Sequence, residues 1–193
     1  RVLLSTTALL DIYGVVGDER ERIESCRRPI GVPLQHPELR PVVIRDQIPM
    51  DDRGLKRCLP PHISPRDWYR LLNGRVFFWL TRARLLKLLD ANAYRMRDHD
   101  VLEVDSRSLV ANYHDKIWLC PMNSGCTKPI PHPRGEKTFL RIPDYPYSTW
   151  RKKRKRGERA VELAVDYAIP DISTYVVRVL EMQGGRKIRT IFP

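Results

Sequence analysis

An α+β domain with a mixed or antiparallel sheet is the fold class that this sequence predicts, and three observations predict it. Arg75 to Leu80 reads RVFFWL, an unbroken aromatic and β-branched run of the kind that forms a buried strand. Ser64, Pro65 and Asp67 supply an N-cap, a proline at the first helical position and an acid at the third, so a helix starts there. From Ala160 to Tyr167, large apolar residues alternate with Ala160, Glu162, Ala164 and Asp166, which is the two-residue period of a strand. The 193 residues suffice for one hydrophobic core and fall short of two, and no repeat or long linker divides them. A single domain over residues 1–193 follows.

Taken in order, Leu3 to Ile12 carries apolar residues at helical spacing, and Asp18 to Arg28 is a charged, exposed helix or turn that Pro29 ends. After a proline-rich stretch to Pro41, Val42, Val43 and Ile44 form a brief strand that delivers Arg45, Asp46 and Gln47 to its end, where polar side chains often face a cleft. The helix opened by Ser64 runs from Trp68 to Leu72 and stops at Asn73 and Gly74. Beyond the RVFFWL strand, Leu85, Leu88 and Leu89 share one helical face. Val101 to Asp105 is a strand, Ser106 to Tyr113 a short helix, Lys116 to Cys120 a strand, and Thr138 to Ile142 a further short one. The alternation around Glu162 turns that residue away from the Val and Leu layer. Tyr175 to Met182 and Lys187 to Phe192, separated by Gly184 and Gly185, form a closing hairpin.

Thirty-five Lys and Arg against 23 Asp and Glu leave a formal charge of +12. That excess points to a polyanionic partner, most often nucleic acid, because counterion release rewards many basic contacts whatever the base sequence. Trp150 to Arg159, WRKKRKRGER, holds seven basic residues and one acid. Such a run is solvated surface on its plain reading. Tyr145, Tyr147 and Trp150 beside it favour a loop that meets nucleic acid, since aromatic faces next to cations suit unpaired bases. No apolar run approaches the roughly 18 residues of a bilayer span, so no membrane partner is expected. Cys26, Cys58, Cys120 and Cys126 show no CxxC and no Cys/His quartet at finger spacing. They read as reduced thiols of a cytoplasmic protein, and no metal is expected. Gly-rich phosphate loops, HExxH and GxSxG are missing, which removes the enzyme classes built on them. His36, His62, His99, His114 and His132 are scattered and read as surface or turn residues.

Three groups stand out chemically. Arg45, in IRDQ, either forms a structural pair with Asp46 or binds a phosphate or carboxylate with both guanidinium arms. Glu162 either lies on a solvated strand face or is a lone carboxylate that stabilises developing positive charge. Asn123, Ser124 and Gly125, with Arg134 and Gly135, make a pair of polar loops that are ordinary turns or a ligand cradle.

The order LLSTTALL, RRP, VVIRDQ, LLNGRVFFWL, VLEVDSRSL, MNSG, RGEKTF and VELAVDYAIPDI resembles an uncharacterised bacterial domain family along nearly the whole chain. More distantly, an arginine after the first segment, a VFFWL strand followed by a helix, and a late (A/V)E(L/V)xV strand ending in a proline-containing turn resemble the DarT-type ADP-ribosyltransferases. This second resemblance implies the split sheet of those transferases, with NAD, as substrate, bent in the cleft. It implies a catalytic role for Glu162 and a dinucleotide contact for Arg45, with Ser5, Thr6 and Phe78 as further NAD-binding candidates. The early strand that carries the family's nicotinamide-holding His and Thr would precede Arg1. Asn123, Trp150, Arg151, Lys152, Lys153, Arg154, Lys155 and Arg156 would hold the acceptor, a nucleic acid or else a protein. A toxin or defence role would add an antitoxin or immunity protein as partner. Two readings of other classes compete: a non-catalytic basic nucleic-acid-binding domain, and a metal-dependent nuclease using Asp46, Glu103 and Asp105.

Overall fold

The structure, a computed structural model, describes residues 2–193. In chain order the elements are β1 (Leu3–Leu4), α1 (Thr6–Ile12), α2 (Gly17–Ser25), β2 (Val32–His36), β3 (Leu39–Ile44), α3 (Asp52–Lys56), α4 (Pro65–Asn73), β4 (Arg75–Trp79) and α5 (Arg82–Leu89). There follow β5 (Asp98–Val104), α6 (Ser106–Tyr113), β6 (Ile117–Cys120), β7 (Leu140–Arg141), α7 (Tyr147–Lys153), β8 (Glu162–Asp166), β9 (Ala168–Ile169), β10 (Val176–Gln183) and β11 (Arg186–Phe192). The strands form small sheets in the orders β4-β8-β6-β7, β11-β10-β5, β2-β3 and β1-β9. Every pairing among the described strands is antiparallel, so the class is α+β as expected.

Strand β8 organises the larger sheet. Leu163 and Val165 point into a cluster with Ile117, Leu119, Ile169 and Ile172, while Ala164 meets Trp68, Tyr69 and Leu72 on the other face. Helix α4 supplies that second layer. Its start is fixed as the sequence predicts: the Ser64 hydroxyl accepts from the Asp67 amide at 3.2 Å, and the Asp67 carboxylate accepts from the Ser64 amide at 2.9 Å. In the smaller sheet β10 is central, and Val179, Leu180 and Met182 are buried. Leu180 and Met182 pack with Leu89 and Val101.

Several elements depart from the sequence reading. The first segment is not one helix: Leu3 and Leu4 pair with Ile169 and Ala168, and helix begins after Ser5, whose side chain accepts from the Ala8 amide at 3.1 Å. RVFFWL is not a fully buried strand: β4 is the edge of its sheet, and Phe77 and Leu80 each stay 37% exposed. The basic run is not simply a loop. Tyr147 to Lys153 is helical, anchored by Trp150 against the core, and the extended chain resumes at Arg154. Asp105 leaves its strand to cap α6, accepting from the Arg107 amide at 3.0 Å. Among the described residues no helix is long and apolar enough to cross a membrane.

Candidate functional site

Where β3 ends beside the β4 edge, a cavity of about 380 Å³ opens. Arg45, Asp46 and Gln47 line it from the end of β3, with Asn73 from α4, Phe77, Phe78 and Trp79 from β4, Tyr94 from the loop after α5, Asn123 to Gly125, and Glu162. A second cavity of about 550 Å³ shares Arg45, Phe77, Phe78, Trp79 and Leu88 with it and continues between β4, α5 and β5. Arg45 and Glu162, distant in sequence, thus line one cleft.

Glu162 opens β8 between Trp79 on β4 and Cys120 on β6, so strands cover it on both sides. It is 4% exposed. Both carboxylate oxygens lie 3.2 Å from the Ser124 amide, which donates to them. Burial pushes its pKa up to about 7, and hydrogen bonds from Ser124 and Cys120 act in the opposite direction. Burial likewise raises the Cys120 thiol, whose Sγ lies 3.2 Å from the Met122 carbonyl.

The loop that bears the Ser124 amide is braced from behind. Buried Arg134 donates to the carbonyls of Ser124 at 2.8 Å, Cys126 at 2.9 Å and His132 at 3.1 Å. Trp68 Nε1 adds a donor to the Ser124 carbonyl at 3.4 Å. The two polar turns of the sequence are therefore one unit that aims a peptide N–H at a carboxylate.

Arg45 is exposed, its guanidinium 5.1 Å from the Tyr94 ring centre. It does not pair with Asp46. On an extended chain neighbouring side chains point to opposite sides, and Asp46 accepts instead from Tyr94 Oη at 3.1 Å and Arg97 at 3.2 Å. Behind Arg45, buried Arg28 donates to the Arg45 carbonyl at 3.1 Å, to Asn73 Oδ1 at 3.0 Å and to the Ile23 carbonyl. Burial lowers the Arg28 pKa to about 10, which leaves it charged at neutral pH. Asn73 in turn donates to the Glu24 carbonyl at 2.7 Å and accepts from Gln47 at 3.4 Å. Arg28, Asn73 and Tyr94 escaped the sequence reading as site residues. The only signal was the RRP segment and a helix ending on Asn73, and neither says what it packs against.

The remaining candidates divide. Phe78 lines both cavities and Asn123 the smaller one. Ser5 is spent as the cap of α1, and neither it nor Thr6 lines these two cavities. Arg151, Lys152, Lys153, Lys155 and Arg156 are exposed and lie outside both linings. Arg154 turns inward, its guanidinium 4.3 Å from the Trp150 ring centre and donating to the carbonyls of Pro121 and, at 3.3 Å, Glu158. Tyr145 is buried, with its hydroxyl on the Arg159 carbonyl at 2.6 Å, so its face is not offered to a base. Asp46, Glu103 and Asp105 are not brought together: Glu103 bonds Arg178 at 3.1 Å, and Asp105 caps α6. Among the described residues no group of three His, Cys, Asp or Glu side chains could hold a metal ion.

A small α+β protein with a cleft between a buried carboxyl and an exposed arginine is what the fold and geometry define. The model of a family of unknown function, DUF7002, matches residues 1–176, and the chain belongs to that family. No curated protein and no solved structure matches it.

Proposed function

We propose that the chain is an NAD-dependent ADP-ribosyltransferase acting on a nucleic acid. One observation carries the reading: Arg45 and Glu162, which the resemblance to the DarT-type enzymes marks, line one aromatic-walled cleft. Phe77 and Trp79 bring aromatic side chains to the lining, which suits a planar heterocycle, and the exposed guanidinium of Arg45 suits a pyrophosphate. In the reaction, the bond between ribose and nicotinamide breaks with its electron pair passing to the nicotinamide nitrogen. The ribosyl oxocarbenium ion that remains is stabilised by ionised Glu162. A base nitrogen of the acceptor then bonds to the anomeric carbon, and its proton passes to Glu162 or to solvent.

Transfer of labelled ADP-ribose from NAD to single-stranded oligonucleotides tests this. Glu162→Gln keeps the shape and removes the charge, so turnover should fall on the order of 100-fold or more while NAD binding changes little. Arg45→Ala should raise the NAD requirement, since a pyrophosphate contact exists in ground and transition states alike. Turnover of the parent should rise as pH passes through about 7, where Glu162 ionises. A second reading, nucleic-acid binding without chemistry, draws on the burial of Glu162 and on the Ser124 amide that engages both its oxygens, as a structural carboxyl would be held. A protein that binds strands yet neither binds nor consumes NAD decides for that reading.

A further inference from the structure

A third cavity, about 430 Å³, lies at the outer end of the cleft. Arg82, Arg178, Lys187 and Thr190 line it with Leu180. Arg82 and Leu180 are shared with the lining of the cavity of about 550 Å³, so the two adjoin. Each cation is there for a local reason. Thr81 caps α5 and leaves Arg82 in its first turn, Arg178 lies on β10 opposite Glu103, and Lys187 and Thr190 belong to the exposed edge strand β11.

Three cations around one solvent-filled hollow repel each other, and a single carboxylate offsets them. Glu103 accepts from Arg178 at 3.1 Å through one oxygen and lies 3.8 Å from Arg82 through the other. Arg82 and Arg178 remain 62% and 51% exposed, so most of their N–H donors stay free for another acceptor. Among the described residues Lys187 has no ion-pair partner within 4.0 Å. By contrast Arg84 is held by Glu158 and Arg189 by Glu181. The cations that face the hollow are thus less fully paired than Arg84 and Arg189.

A second row of cations runs up to this one. The Leu80 amide donates to the Val161 carbonyl at 3.2 Å, Arg84 pairs with Glu158, and a methyl group placed on Gly157 would lie 3.4 Å from Thr81 Cγ2. Exposed Lys155 and Arg156, just before Gly157 in the chain, are therefore held near the start of α5. Arg82, next in the chain to Thr81, lines the hollow with Arg178 and Lys187, so basic residues of several segments lie near its opening. Several spaced cations suit the repeated phosphates of a flexible strand better than one small anion.

We propose that Arg82, Arg178 and Lys187 form a phosphate-binding site that holds the backbone of a single-stranded nucleic acid at the outer end of the cleft. It deepens the transferase reading, on which it rests, by giving the acceptor strand a second anchor beyond the basic segment. Arg178 and Lys187 lie past residue 176, outside the part of the chain that the family model matches, whereas Arg82 lies within it.

The test titrates fluorescein-labelled oligothymidylates of increasing length against the parent protein and the triple variant Arg82→Gln, Arg178→Gln, Lys187→Gln at several salt concentrations. With long strands the slope of log affinity against log salt should fall by about 2, or about 0.7 for each lost contact. Short strands, unable to reach both anchors, should show a smaller loss. Arg82→Lys with Arg178→Lys keeps the charge and should restore the slope, and unchanged melting of each variant shows that the fold is intact. A slope that is the same in parent and triple variant at every length overturns the proposal. So does inorganic phosphate that binds the parent and not the variant while long strands bind both equally, because the hollow then takes a small anion only. A reduced slope in a protein that consumes no NAD upholds the anchor and removes the transferase reading, so the two failures are distinguishable.

Discussion

Glu162 sits where a carboxylate is costly to ionise, on a central strand with one peptide N–H shared between its oxygens. The cost has a direction in pH. Its pKa is raised from 4.5 to about 7 by burial, so between those values the folded protein holds a proton that the unfolded chain releases, and stability falls as pH rises through that window. Glu162→Gln escapes the loss. Its stability relative to the parent should be near zero or slightly negative at pH 4, and should grow to at most about 3 kcal/mol by pH 8, as read from urea unfolding at each pH. A difference independent of pH would mean that the carboxyl ionises as freely folded as unfolded. The sequence made the side of the strand legible, because a two-residue period says which way Glu162 points. It left open whether that side is covered, which depends on the Ser124 loop and on Arg134 behind it. Adjacency misled at Arg45 for a related reason: Asp46 is its neighbour in the chain but is turned toward Tyr94 and Arg97.

Among the elements, α4 shows how far local chemistry carries. Ser64, Pro65 and Asp67 announce its start without any tertiary information, and its buried Trp68, Tyr69 and Leu72 hold up the Ala164 face of the sheet that carries Glu162. Ser64→Ala removes one half of the capping box and should cost about 1 kcal/mol, measured as a lower urea midpoint at unchanged slope. The late strand and the closing hairpin were equally legible, from alternation and from Gly184 and Gly185. Elements held by distant partners were not. Strand β2 contains Pro33 and is recognised only by its pairing with β3. Helix α7 is so rich in cations that its sequence reads as a loop, and its helical turns rest on Trp150 packed into the core. Strand β7 shrinks to two residues beside β6 because the chain before it closes into a short turn at Glu136 to Thr138.

For the molecule as a whole, the family match and the fold end at different places. The match stops at residue 176, the first residue of β10, yet β10 is the middle strand of its sheet and buries Val179, Leu180 and Met182. Three such side chains stabilise the fold by about 6 kcal/mol, comparable with the roughly 5–15 kcal/mol that holds a whole domain together. A chain ended at residue 176 should therefore show no cooperative urea transition, whereas the full chain should show one. The pairing of Leu3 with Ile169 and of Leu4 with Ala168 has a different consequence, and it concerns time. During synthesis Leu3 leaves the ribosome long before Ile169 exists, so β1 waits unpaired while the residues between them are still being made. Closing so long a stretch of chain is slow and comes after local helices have formed. In the interval, the apolar side of α1 and the two leucines before it are exposed to any chaperone or neighbouring nascent chain that reaches them first.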